Sequence, residues 1–263
     1  MSGLPGREIN SQNPRRRSRS RRSTAALLEC EEGGLEGVKS VKREEIRARI
    51  EEIGILPAVR TPSAEQARFA VEAVVRGGIP AAEITMTIPG AIEVIAHFAR
   101  HAPDAIVGAG TVLDVETARR CVDAGAKFLT SPGLVLHVVE FALKSEVVVF
   151  PGALTPSEVI SAWQAGSDFV KVYPCGQVGG DRYIRALKAP LPQVPLIASG
   201  GVNQQTAVNF ILAGASALGI GSELLPREAL QLKEEERIHE LARRFAGMVK
   251  DARHRKAKAR HGG

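Results

Sequence analysis

Lys171 lies in the run Asp168–Phe169–Val170–Lys171–Val172–Tyr173–Pro174, which is short, apolar, rich in β-branched residues and closed by proline. That pattern predicts a buried strand. Alternate side chains of a strand face opposite ways, so Phe169, Lys171 and Tyr173 share one face and Val170 and Val172 the other. A lysine between valines in a core strand must bury its stem and part of its head. Burial disfavours the ammonium and leaves some neutral amine near neutral pH. A neutral amine is what Schiff-base chemistry on a carbonyl requires. On local sequence alone, a lysine that snorkels into solvent or pairs with a carboxylate explains the run as well. Its companions elsewhere in the chain decide the matter.

Glu83, in Ala81-Ala82-Glu83-Ile84-Thr85, is a carboxylate on the same kind of strand face. A buried carboxylate next to an amine can move protons; by itself it would serve as a structural partner for Lys171 or Arg60. Arg60 ends an apolar run and presents a fork suited to a carboxylate, and Thr111, in Gly108-Ala109-Gly110-Thr111, adds a hydroxyl. Ser199-Gly200-Gly201 and Gly219-Ile220-Gly221-Ser222 are two loops whose glycines let backbone N–H groups approach an anion, with following helix N-termini expected to add positive potential. Either loop alone is explained by turning. Together these residues suit a molecule with a carboxylate at one end, a carbonyl beside it and a phosphate at the other.

Positioning them requires a particular set of elements. An amphipathic helix is predicted over Val41–Ile53, with Ile46, Ile50 and Ile53 on its apolar stripe. Strands are predicted at Ile55–Arg60, Ala81–Thr87, Ala105–Ala109, Lys127–Thr130, Val147–Phe150, Phe169–Tyr173, Leu196–Ala198 and Ala217–Ile220. Between them lie helices Ser63–Arg76 (capped by Ser63), one opening at Pro89, Asp114–Ala124, Leu134–Ser145, Pro156–Ala165, Arg182–Lys188 and Gln204–Ala213, with a terminal helix over Glu234–Arg253. Strict alternation implies parallel pairing. Eight such units in about 200 residues fit a closed α/β (β/α)₈ TIM barrel better than a doubly wound open sheet, and no G-x-G-x-x-G follows the first strand. In a barrel the chemistry sits at the C-terminal ends of the strands, where every candidate above falls.

Apolar content of 44% and charged content of 24% are those of an ordinary globular protein. No apolar run approaches the ~18 residues of a membrane span. Three cysteines, Cys30, Cys121 and Cys175, make no disulfide framework and no CxxC pair, so a cytoplasmic setting is expected. The net charge of +6 is carried by the ends: residues 1–40 hold eight Lys and Arg against five Glu, and residues 250–263 hold six against one Asp. Residues 1–40 are predicted to be a disordered basic tail, 41–249 the barrel and 250–263 a basic C-terminal tail.

Glu83-Ile84-Thr85, Gly108-Ala109-Gly110-Thr111-Val112, Ser131-Pro132-Gly133, Phe150-Pro151-Gly152, Val170-Lys171-Val172-Tyr173-Pro174, Gly200-Gly201-Val202 and Gly219-Ile220-Gly221-Ser222 resemble, in order, the class I aldolases of 2-keto-3-deoxy-6-phosphogluconate (KDPG) and 4-hydroxy-2-oxoglutarate (KHG). The resemblance covers residues from about 50 to 248. It implies Lys171 as the Schiff-base lysine and Glu83 as the general acid/base. It implies Thr111 as the hydroxyl that holds the pyruvyl carboxylate, Pro132 as a further substrate-binding residue, and Gly200, Gly201, Gly221 and Ser222 at the phosphate. Some members carry the carboxylate-binding arginine four residues after the glutamate, where this chain has Thr87, and others at the end of the first strand, where it has Arg60. Arg60 is therefore assigned that role. Tyr173 replaces the usual Phe and Ser199 the usual Thr, both lining the aldehyde half. The resemblance further implies a phosphorylated keto acid as substrate, no cofactor and a homotrimer. A non-covalent phosphate-binding isomerase, or a nucleic-acid-binding protein on an inactive barrel, is the alternative. The basicity lies in the tails alone, so a nucleic-acid partner is not expected.

Overall fold

The computed structural model describes residues 33–261, with side chains from 43 to 259. The predicted basic arm falls largely on residues outside that range, but the first helix, α1 (Gly33–Ile53), begins inside the segment expected to be tail. After it come β1 (Ile55–Val59), α2 (Ala64–Arg76), β2 (Ala81–Thr85), α3 (Ala91–His101), β3 (Ile106–Gly110), α4 (Val115–Asp123), β4 (Phe128–Thr130) and α5 (Leu136–Lys144). The second half runs β5 (Val148–Phe150), β6 (Gly152–Ala153), α6 (Pro156–Gln164), β7 (Val170–Val172), α7 (Asp181–Lys188), β8 (Leu196–Ser199), α8 (Ala207–Ala213), β9 (Ala217–Ile220), α9 (Arg227–Gln231) and α10 (Glu235–His261). Helix starts follow local chemistry. Ser63 accepts from the Gln66 amide at 3.2 Å, Asp114 from that of Thr117 at 2.7 Å, and Thr155 and Glu158 form a reciprocal capping box.

All strand pairs are parallel, in the order β5-β4-β3-β2-β1-β9-β8-β7-β6. β5 and β6 are one extended segment cut by Pro151, which has no N–H to give the ladder. The lower half pairs with β4 and the upper half with β7, and the Pro151 carbonyl itself accepts from the Lys171 amide at 2.9 Å. The nine strands are thus eight staves of a closed (β/α)₈ barrel, as the alternation predicts.

The pleat sorts the apolar residues into two cores. Val59, Ile84, Val107, Leu129, Val149, Val170, Val172, Leu218 and Ile220 face out against the helices. Leu56, Ala81, Ile106, Phe128, Val148, Phe150, Phe169, Ile197 and Ala217 face in, and Ile46 and Ile50 of α1 join them from below. α1 is therefore a plug for the N-terminal mouth of the barrel. Asp168 fixes it there: its carboxylate accepts from Arg43 at 3.0 Å and from the Val149 amide at 2.8 Å.

The terminal helix differs from expectation. It runs to His261 rather than stopping at Arg253, so the stretch read as a tail after residue 249 is helical that far. Arg253, where the helix was expected to stop, is itself tied to the end of α1, whose last carbonyls have no partner within the helix. Arg253 donates to the Glu51, Glu52 and Ser216 carbonyls, the last at 3.0 Å. Gly54 takes φ 68° beside it, and a Cβ there would run into that guanidinium.

Candidate active site

β2 and β7 stand four staves apart in an eight-stave ring, on opposite walls of the barrel. Glu83 and Lys171 are inward residues at the middle of their strands, and their side chains meet across the lumen. Lys171 Nζ is 3.1 Å from Glu83 Oε2 and 3.2 Å from Oε1. The glutamate is 3% exposed and the lysine 8%, so each charge has the other as its partner in a nearly dry setting. The Tyr173 ring, one inward position further up β7, has its centroid 5.8 Å from Nζ.

Small neighbours make this reach possible. Glu83 sits in register with Ala58 on one side and Gly108 on the other, and Lys171 with Gly152 on one side. A Cβ on Gly110 would fall on the Glu83 carboxylate, and one on Gly108 on the Phe128 ring. The Gly-Ala-Gly of β3 is therefore a vacated wall, with Ala109 facing outward between two inward glycines. Just beyond it Thr111 holds φ 60°, a left-handed conformation that a β-branched residue adopts only under constraint. That constraint comes from both flanks, where the Gly110 carbonyl accepts from Met86 at 2.8 Å and the Val112 amide donates to Thr130 at 3.1 Å.

At the opposite rim, Gly200 and Gly201 take φ 80° and 86°. The loop after β7 lies against them: the Cys175 amide donates to Ser199 at 2.9 Å and the Gly176 amide to Gly200 at 2.7 Å. A Cβ on Gly201 would come within 2.7 Å of the Gly176 Cα. The helix N-terminus expected directly after this loop is displaced. α8 starts at Ala207 rather than near Gln204, because Asn203 Oδ1 accepts from the Gln205 and Thr206 amides, both at 3.0 Å, and closes a turn of its own. After β9, the Gly221 carbonyl accepts from both Leu224 and Leu225 at 3.0 Å before α9 begins. What the two loops offer an anion is their glycine backbone and the Ser222 hydroxyl rather than helix dipoles.

A cavity of about 560 Å³ opens above the Lys171–Glu83 pair. All eleven residues singled out in the sequence line it: Arg60, Glu83, Thr111, Pro132, Lys171, Tyr173, Ser199, Gly200, Gly201, Gly221 and Ser222. A neighbouring cavity of about 400 Å³ shares Arg60, Gly221 and Ser222, so the exposed Arg60 guanidinium stands at the junction of the two. Thr87, where some aldolases of this kind have arginine, also lines the site; its hydroxyl is 2.9 Å from that of Thr85.

The family model described as KDPG and KHG aldolase matches residues 46–241. The chain belongs to this family. The KHG/KDPG aldolase of Escherichia coli (strain K12) is 33% identical over 190 residues, covering 72% of this chain and 89% of that protein. The 2-dehydro-3-deoxy-phosphogluconate aldolase of Pseudomonas aeruginosa is 28% identical over 204 residues, covering 76% and 93%. Among solved structures, the KDPG aldolase of Legionella pneumophila, with pyruvate captured as a covalent carbinolamine intermediate, superposes with a TM-score of 0.70. It is 29% identical, covering 75% of this chain and 96% of that one.

Asn203 and Glu223 also line the cavity and had not been singled out. Each follows a glycine loop by one or two residues, but nothing in an isolated sequence distinguishes them from ordinary loop polars. The two cysteines within the described residues are poor rivals to the lysine as nucleophile. Burial pushes the Cys121 thiol up to about 11 and the Cys175 thiol up to about 12. Among the described residues no group of three His, Cys, Asp or Glu is placed to hold a metal ion, and no helix is long and apolar enough to cross a membrane.

Proposed function

We propose that Lys171 and Glu83 carry a class I aldol cleavage, with KDPG split to pyruvate and glyceraldehyde 3-phosphate and KHG to pyruvate and glyoxylate. The observation that carries this reading is a lysine amine within 3.2 Å of both oxygens of one buried carboxylate, beneath an open cavity. Lys171 Nζ, having given a proton to Glu83, adds to the C2 carbonyl to form a carbinolamine. Glu83 returns a proton to the departing hydroxyl, and water leaves the iminium. The iminium draws the C3–C4 bonding electrons into an enamine as Glu83 accepts the C4 hydroxyl proton and the aldehyde departs. The enamine takes that proton at C3, and water then releases pyruvate and the free amine.

Arg60 and Thr111 are assigned to the pyruvyl carboxylate, with Pro132 closing that half of the site. Tyr173 and Ser199 face the aldehyde half, and Gly200, Gly201, Gly221 and Ser222 take the phosphate. The carbinolamine seen in the Legionella relative supports the covalent route. A homotrimer is the proposed assembly. Among the described residues, four of the five large apolar side chains left exposed, Leu113, Leu136, Ile160 and Val178, lie on four consecutive βα units, which suits burial against another copy. A cytoplasmic location is proposed with it.

Coupling pyruvate release to its reduction tests the reading directly. Turnover of KDPG, KHG or both is expected. Failure to release pyruvate from either, in folded protein, would overturn it.

A further inference from the structure

The far rim of the cavity carries a charge that a phosphate site does not call for. The groups assigned to the anion, the amides of Gly200, Gly201 and Gly221 and the Ser222 hydroxyl, are all neutral. Asn203 adds only an amide whose oxygen is already engaged. Next to Ser222 in the chain stands the carboxylate of Glu223, which lines the same cavity as the Arg60 guanidinium and opposes it in sign. Among the described residues it accepts no hydrogen bond and pairs with no cation. Arg227 lines the neighbouring cavity, which Arg60, Gly221 and Ser222 also line, and makes no ion pair with Glu223. Nor is Glu223 on a loose loop: the Gly221 carbonyl holds the Leu224 and Leu225 amides at 3.0 Å, and both leucine side chains are buried.

We propose that Glu223 is a specificity-determining residue that lowers the enzyme's preference for a substrate ending in a phosphate dianion, relative to a shorter 2-oxo acid. The inference rests on the aldolase reading above. A dianion in the cradle lies well within a Debye length of this carboxylate and is repelled by it. KHG ends in a carboxylate at C5, one carbon short of the one that bears the phosphate, so its charge stops before this loop. The shorter substrate therefore escapes most of the repulsion, and Glu223 narrows the advantage the phosphate cradle confers.

The test compares kcat/KM for the two substrates in the unaltered protein and in Glu223→Gln, an exposed and nearly isosteric change that leaves the fold intact. The phosphorylated substrate should gain roughly three- to tenfold, with KHG essentially unchanged, and the gain should shrink at ~0.5 M salt. Glu223→Asp should behave like the unaltered protein. Titration with inorganic phosphate gives a readout that needs no turnover: Glu223→Gln should bind it more tightly by a similar factor. Equal effects on both substrates, or phosphate affinity that does not move, would overturn the proposal. Absence of pyruvate release from every protein would instead count against the aldolase reading, while the phosphate titration would still decide the role of Glu223.

Discussion

The inside of this barrel is two different materials stacked along the same strands. Its lower part is dry and aromatic: Phe128 and Phe150 lie 5.0 Å apart, Phe150 and Phe169 meet edge to face at 6.2 Å, and α1 caps them with Ile46 and Ile50. Its upper part is charged and open, with Lys171 joined to Glu83 beneath a cavity. On β7 the change takes two residues, from Phe169 to Lys171, one full repeat of the pleat. The contrast shows why an ion pair can be held where water is scarce. A rigid floor fixes the backbone from which the lysine rises, and vacated positions such as Gly108 and Gly110 leave space only above that floor. Substitutions in the two halves should therefore fail in different ways.

The largest expected loss lies in the upper half. Glu83→Gln keeps the shape and removes the proton carrier, so kcat should fall by about two to four orders of magnitude. The amide keeps a polar contact to Lys171 but not its counter-charge, so the melting temperature should fall as well, with the loss of kcat the larger effect. A rise in KM alone, with kcat intact, would make Glu83 a binding residue.

In the lower half the pattern reverses. Phe150→Ala empties a fully buried aromatic site and should cost about 3–5 kcal/mol of stability, read as a lower denaturation midpoint. kcat per folded molecule should hold. If kcat collapsed while the midpoint held, floor and site would not be separable in this way.

A smaller effect is expected at the rim. Arg60→Ala removes a charge-assisted contact worth about 1.5–3 kcal/mol, or roughly ten- to over a hundredfold in kcat/KM. Thr87→Arg in that background should recover part of the loss. Because Arg60 also borders the neighbouring cavity, its effect on pyruvate affinity should be compared with its effect on phosphate affinity. A change in phosphate affinity alone would move Arg60 to the other end of the substrate.

Much of this was legible in the residues. Alternation along Phe169–Tyr173 placed Lys171 inward, and the isoleucines of 46, 50 and 53 marked the apolar stripe of α1. The glycine loops ended the last two strands where they were expected. What could not be read depends on closure, a property of the whole ring. No local pattern reveals that β2 and β7 face each other, that Gly110 stands empty for Glu83, or that Arg253 is taken up by the end of α1. Pro151 read as a strand end because a proline removes a ladder donor; the chain nonetheless resumes at Gly152, where β7 becomes the partner. The late start of α8 hinges on one side chain, Asn203, turning back on its own loop.

The covalent role of Lys171 is the claim on which the rest depends, and borohydride reduction in the presence of pyruvate tests it most directly. Reduction of the iminium should add the mass of a reduced pyruvyl group to a single peptide containing Lys171, inactivate the protein in parallel, and leave Lys171→Met unlabelled. An adduct on another lysine, or full activity in Lys171→Met, would contradict it.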